Sequence, residues 1–137
     1  LAIRNAADND ELVYSANFYA DRSREHAQGR YIDDLMVRIP KNEYLFGTRS
    51  SLGAKASFGL DFGEVYKRSV IGVRVSGVPI AERQALVAYF QRINDDFRQR
   101  ARDTEYHDGE VRYDYLRLNC AKTIGAAFTP TSPARWR

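Results

Sequence analysis

The stretch YDYLRLNCAKTIGAAF, residues 113–128, decides how the rest of this chain is read. It carries the single cysteine, Cys120, directly after an asparagine and at the head of an apolar run. Leu116, Cys120, Ile124 and Ala127 recur at helical spacing, which predicts a helix from about Asn119 to Phe128. Two roles for the thiol follow. Free cysteine behaves as a small buried hydrophobe, so Cys120 can be a core residue on that stripe. In the first turn of a helix, unpaired N–H groups and the positive end of the dipole favour a thiolate instead, and they can bind an oxyanion during acyl transfer. Asn119 is of the residue type that caps such a turn.

Working outward, the sequence VPIAERQALVAYFQRINDDFRQRAR upstream predicts the strongest helix. Leu86, Phe90, Ile93 and Phe97 form its apolar stripe, and Pro79 suits its first turn. DTEYHDGEVR separates the two helices as a turn-rich break. At the other end, LAIRNAADNDELVYSANFYAD reads as a β-hairpin around the turn-forming NAADND. Leu12, Tyr14, Ala16 and Phe18 take one face, while Val13, Ser15, Asn17 and Tyr19 take the other. YIDDLMVRIP places Ile32, Leu35, Met36 and Ile39 at helical spacing before Pro40, predicting a short helix. KNEYLFGTRSSLGAKASFGLDFG reads as a long connection with one short strand, and its glycines lack a phosphate-binding pattern. EVYKRSVIGVRVSG reads as the best strand, with Ile71, Val73 and Val75 on one face and Gly77 ending it. The tail, TPTSPARWR, reads as extended. Strands followed by two main helices predict an α+β domain over residues 1–137: a small antiparallel sheet packed against two main helices.

Bulk composition narrows the function classes. The chain has 137 residues, 44% hydrophobic and 28% charged, enough apolar content to bury a core. Its 21 Lys and Arg against 18 Asp and Glu leave a formal charge of +3 with no basic block, which argues against nucleic acid as a partner. One cysteine excludes an internal disulfide, and no run reaches the length of a membrane-spanning helix. His26 and His107 lack companions at ligand spacing, so no metal site and no cofactor are expected. The acidic pairs Asp33–Asp34 and Asp95–Asp96 are sequence neighbours that do not face a common substrate, and they read as solvated surface.

The motif Y-x-Y-L-x-x-N-C at residues 113–120, leading into a helix, resembles the nucleophile motif of circularly permuted papain-like thiol enzymes. That group includes the NlpC-type permuted peptidases, the lecithin:retinol acyltransferase-like proteins and the Lnb N-terminal periplasmic domain. The order of elements is closest to the Lnb type: early hairpin, mid-chain strand, the helix AERQALVAYFQRIN, then the cysteine helix. The resemblance implies a permuted papain-like fold and a nucleophilic Cys120 paired with a histidine from an early strand. It also implies a third polar residue, Asn17 or Ser15, to orient the imidazole. In the Lnb-like pattern that histidine begins the first strand, and LAIR reads as a strand already under way. The first expectation is therefore a native N-terminal segment carrying the histidine ahead of Leu1, with His26 second and His107 third. Tyr113 and Tyr115 are candidate walls of an acyl or peptide pocket. The implied substrates are a peptide, a cell-wall peptide or a lipid ester, and the implied location is the periplasm or cell envelope, close to a membrane. The competing expectation is a non-catalytic interaction domain on the same fold with Cys120 buried.

Overall fold

Residues 2–4 are short and largely apolar, residues 11–16 put Leu12, Tyr14 and Ala16 on one face, and across the turn-rich break between them the two segments pair as an antiparallel hairpin. The structure, a computed structural model, describes residues 1–4, 10–17, 34–46, 69, 71–102, 109–116 and 118–128. Strand β1 (Ala2–Arg4) pairs with β2 (Glu11–Ala16), placing Ile3 opposite Leu12. A third strand, β3 (Met36–Pro40), pairs antiparallel with β2, and Val13 faces Ile39. The sheet order is β1-β2-β3.

The strand at Met36–Pro40 corrects the short helix expected there. LMVRIP is a short apolar run in which helical and strand periodicities both fit, and burial decides between them. Met36 joins the larger core on one face, while Val37 and Ile39 form a second cluster with Tyr44 on the other. Arg38 is exposed between them. Two β-branched residues in alternation suit the pleated surface, and Pro40 closes the strand at the sheet's edge, where its missing N–H is tolerated. The chain then turns directly into α1 (Lys41–Phe46), the first residues of what the sequence presents as an open connection. This helix lays Tyr44 on Val37 and Ile39, so the sheet is covered on both faces. Most of the long glycine-rich connection, the extended tail, His26 and His107 lie outside the described residues.

The strand expected at residues 71–75 does not form. Ile71, Val73 and Val75 have the required alternation, yet they are 91%, 88% and 76% exposed and pair with no described strand. Alternation makes a segment competent for a sheet, but a free edge with matching register must also reach it.

Helix α2 (Ile80–Arg98) packs the larger core. Gly77 adopts φ +76° just before it, a left-handed turn that glycine makes without a Cβ penalty. Pro79 occupies the cap position, and its carbonyl accepts the Arg83 N–H at 3.1 Å. Leu86, Phe90 and Ile93 are buried as their spacing predicts, and the Phe90 ring stacks on Tyr14 at 5.2 Å. Burying a phenylalanine contributes roughly 1.5–3 kcal/mol. Asn94 is buried on the same stripe: its Oδ1 accepts the Met36 N–H at 2.6 Å, and its Nδ2 donates to the Met36 carbonyl at 2.9 Å. One amide side chain thus satisfies both backbone groups of an edge-strand residue and ties α2 to β3. On the surface, Arg98 bonds the Asp34 carboxylate just before that strand.

The last turn of α2 closes on Arg100, whose φ is +53°. The Arg100 N–H reaches the Phe97 carbonyl at 3.1 Å, and the Ala101 N–H reaches Asp96 at 2.8 Å, the paired bonds of a Schellman ending. The chain returns through a bridge between Arg102 and Glu110, with the Val111 N–H bonded to the Ala101 carbonyl. Val111, Tyr113 and Leu118 enter the core before α3 (Cys120–Ala127). The result is a mixed α+β fold, a three-stranded antiparallel sheet with α2 and α3 completing its larger core.

Candidate active site

The sequence around Cys120 builds its own launching platform. Asp114 and Leu118 exchange backbone hydrogen bonds of 3.1 and 3.0 Å, closing a tight loop, and the Asp114 carboxylate accepts the Leu116 N–H inside it. Asn119 follows with extended backbone (φ −113°, ψ 179°) and turns the chain into α3. Its Oδ1 accepts the Lys122 N–H at 2.9 Å, while its Nδ2 donates to the Tyr115 carbonyl at 2.6 Å. One end of the amide caps the helix and the other holds the loop, so Asn119 serves as the cap. Its main-chain carbonyl accepts both the Thr123 N–H and the Thr123 hydroxyl.

That arrangement settles the accounts of the first turn. The amides of Lys122 and Thr123 are used, whereas those of Cys120 and Ala121 have no acceptor among the described residues. Cys120 is the first residue of the helix, and its side chain is exposed. This corrects both the buried-thiol reading and the stripe through Leu116 and Cys120. Leu116 is 77% exposed, whereas Ala127, on the anticipated line, is buried and Ile124 packs partly buried against the core; the other buried position of α3 is Thr123, one residue off that line. The small Thr123 and Ala127 permit close approach to the core, and the register they set turns the thiol outward.

The thiol lies at the end of the central strand. Its Sγ is 3.9 Å from the Ala16 carbonyl, a long contact for a weak donor. Two groups that sequence spacing does not bring together with Cys120 are within its electrostatic reach. One is the amino nitrogen of Leu1, which also donates to the Tyr14 carbonyl at 3.0 Å. Burial lowers the pKa of that amine, and Cys120 acts in the opposite direction. The other is the Tyr44 phenol on α1, raised chiefly by burial and partly offset by a hydrogen bond with Ser15, with Cys120 adding to the rise. Tyr44 belongs to a helix the sequence does not announce, so no local signal marks it as a neighbour of the thiol.

The remaining expected residues separate into two groups. Asn17 follows Ala16 directly and is fully buried; its Nδ2 donates to the Asp34 carbonyl at 3.0 Å, and its main-chain N–H bonds the Leu35 carbonyl. Those bonds join the end of β2 to the entry of β3. Ser15 is half-buried and bonded to Tyr44. Tyr113 is buried in the core, whereas Tyr115 is 66% exposed; their rings meet edge to face at 5.3 Å. Of this pair, Tyr115 is the one that faces solvent beside the capped turn, and Tyr113 supports it from below.

Among the described residues, no group of three His, Cys, Asp or Glu side chains could hold a metal ion, and no helix is long and apolar enough to cross a membrane. The chain matches no protein-family model, no curated protein and no solved structure.

Proposed function

We propose that the chain is a cysteine-dependent acyl-transfer or hydrolytic enzyme on a permuted papain-like fold, acting on an amide or ester through a thioester at Cys120. One observation carries this reading: an exposed thiol opens a capped helix whose first two N–H groups, those of Cys120 and Ala121, remain unclaimed among the described residues. The thiolate attacks the substrate carbonyl carbon, and the new oxyanion takes those N–H groups as donors. Collapse breaks the carbonyl carbon's bond to the leaving amine or alcohol, which departs with a proton supplied by an imidazole. Water or an acceptor amine then cleaves the thioester. His26 is the histidine of this chain that the resemblance assigns to the imidazole's role. Asn17, packed beside Ala16, is the third polar residue of this scheme and would act by fixing the strand end. The substrate class is a peptide, a cell-wall peptide or a lipid ester, and the same reading assigns the chain to the periplasm or cell envelope.

The test is alkylation by iodoacetamide at pH 6, comparing the folded chain with the same chain in urea. Faster modification of the folded chain, confined to Cys120 and slowed in Asn119→Ala, is the expected result. A folded chain that reacts no faster than the unfolded one removes the basis for a nucleophilic role.

A further inference from the structure

A second feature lies apart from the thiol. Between the α2-facing side of the hairpin and the first turns of α2 is a cleft of about 380 Å³. That volume falls at the lower end of the ~300–1,000 Å³ typical of small-molecule sites. Neither Cys120, Asn17 nor Asn119 lines it. Its apolar wall comes from Ile3 and Leu12 on the sheet and from Val87 and Ala88 on the helix. Arg4, Arg38 and Arg83 also line it, and no acidic side chain does so among the described residues.

The three arginines are not equivalent. Arg4 is paired with Glu11 at 3.2 Å. Arg38 is exposed and bonds the Tyr14 hydroxyl, and Arg83 donates from Nη1 to the Arg4 carbonyl at 2.9 Å. Neither Arg38 nor Arg83 has a carboxylate partner among the described residues. The Nε of Arg83 is buried with no hydrogen-bond partner there. An unmet buried donor is costly, and a guanidinium fixed at one nitrogen is pre-oriented to meet an acceptor with another.

We propose that this cleft binds a medium-chain alkyl carboxylate, with its chain along Ile3, Leu12 and Val87 and its carboxylate on Arg83 and Arg38. With Arg4 already paired to Glu11, two guanidinium groups remain, and the two oxygens of one carboxylate offer an acceptor to each. The proposal is independent of any reaction at Cys120.

Titration calorimetry with decanoate, below its micelle concentration, tests it on the whole chain. Saturable binding is expected, weakened roughly tenfold or more when decanol replaces decanoate, because the charge-assisted bonds are lost. Arg38→Gln, at an exposed position, and Arg83→Gln should each weaken decanoate by a similar factor while leaving decanol unchanged. Cys120→Ala should bind decanoate as the unaltered chain does. Equal affinity for decanoate and decanol, or indifference to both arginine substitutions, overturns the proposal. Decyl phosphate binding tenfold tighter than decanoate overturns the carboxylate assignment. Thermal melts of the variants confirm that a loss of binding is not a loss of fold.

Discussion

Asn94 shows how much a single side chain decides in a small sheet. Both ends of its amide are spent on the Met36 backbone in a buried setting. Asn94→Ala leaves a donor and an acceptor without partners, and each costs roughly 1–3 kcal/mol. Urea denaturation should therefore show Asn94→Ala destabilised by about 2–6 kcal/mol. Asn94→Asp should also be destabilised, because a carboxylate can accept from the Met36 N–H but offers nothing to the Met36 carbonyl. A loss within the ordinary surface range, under about 0.5 kcal/mol, would mean that water replaces the amide at no cost. The contrast with Cys120 is instructive. Both residues sit on helical stripes in the sequence, yet the polar amide is buried and the thiol is exposed. Residue type alone predicts the reverse in each case.

At the scale of elements, the ending of α2 invites a direct test. Arg100 holds the left-handed position that glycine normally occupies in a Schellman ending. Arg100→Gly removes the Cβ penalty there, and equilibrium unfolding should show a gain of about 0.5–1 kcal/mol, net of the extra freedom glycine has when unfolded. A net loss would show that the Arg100 side chain contributes more than its backbone costs. The elements also differ in how openly the sequence declares them. α2 carries its apolar stripe from Leu86 to Phe97, and α3 is announced by its asparagine cap, so both are legible in the sequence. The hairpin is legible because NAADND separates a short apolar segment from one that divides its residues between two faces. β3 and α1 are not: LMVRIP is too short for one period to exclude the other, and α1 exists to cover Val37 and Ile39, a face that appears only once β3 is a strand. Residues 71–75 fail in the opposite sense, since their pattern is plain but no described edge receives them. The environment of the thiol divides the same way. Asn119 and its cap are local and readable, whereas Leu1 and Tyr44 reach Cys120 only through the sheet's pairing.

For the molecule as a whole, one carboxylate joins three elements. Glu11 on β2 bonds Lys41 at the start of α1 and Arg4 on β1. The Lys41 hydrogen bond, opposed by desolvation and reinforced by Arg4, holds the Glu11 pKa below its ordinary value. A carboxyl with a depressed folded pKa adds stability above its unfolded pKa of about 4.3 and loses it as pH falls through the folded value. Glu11→Gln should therefore be less stable than the unaltered chain at neutral pH, and the two stability curves should converge in acid. Parallel curves between pH 7 and pH 3 would show that the charge contributes nothing.

The bolt that Asn94 drives through the rim of the sheet has a mechanical corollary. Prising the sheet and the long helix apart breaks two buried bonds at once, which raises the cost of opening between them. Local opening is therefore expected first in the Asp114–Leu118 loop and the start of α3, where the ties are shallower and solvent already has access.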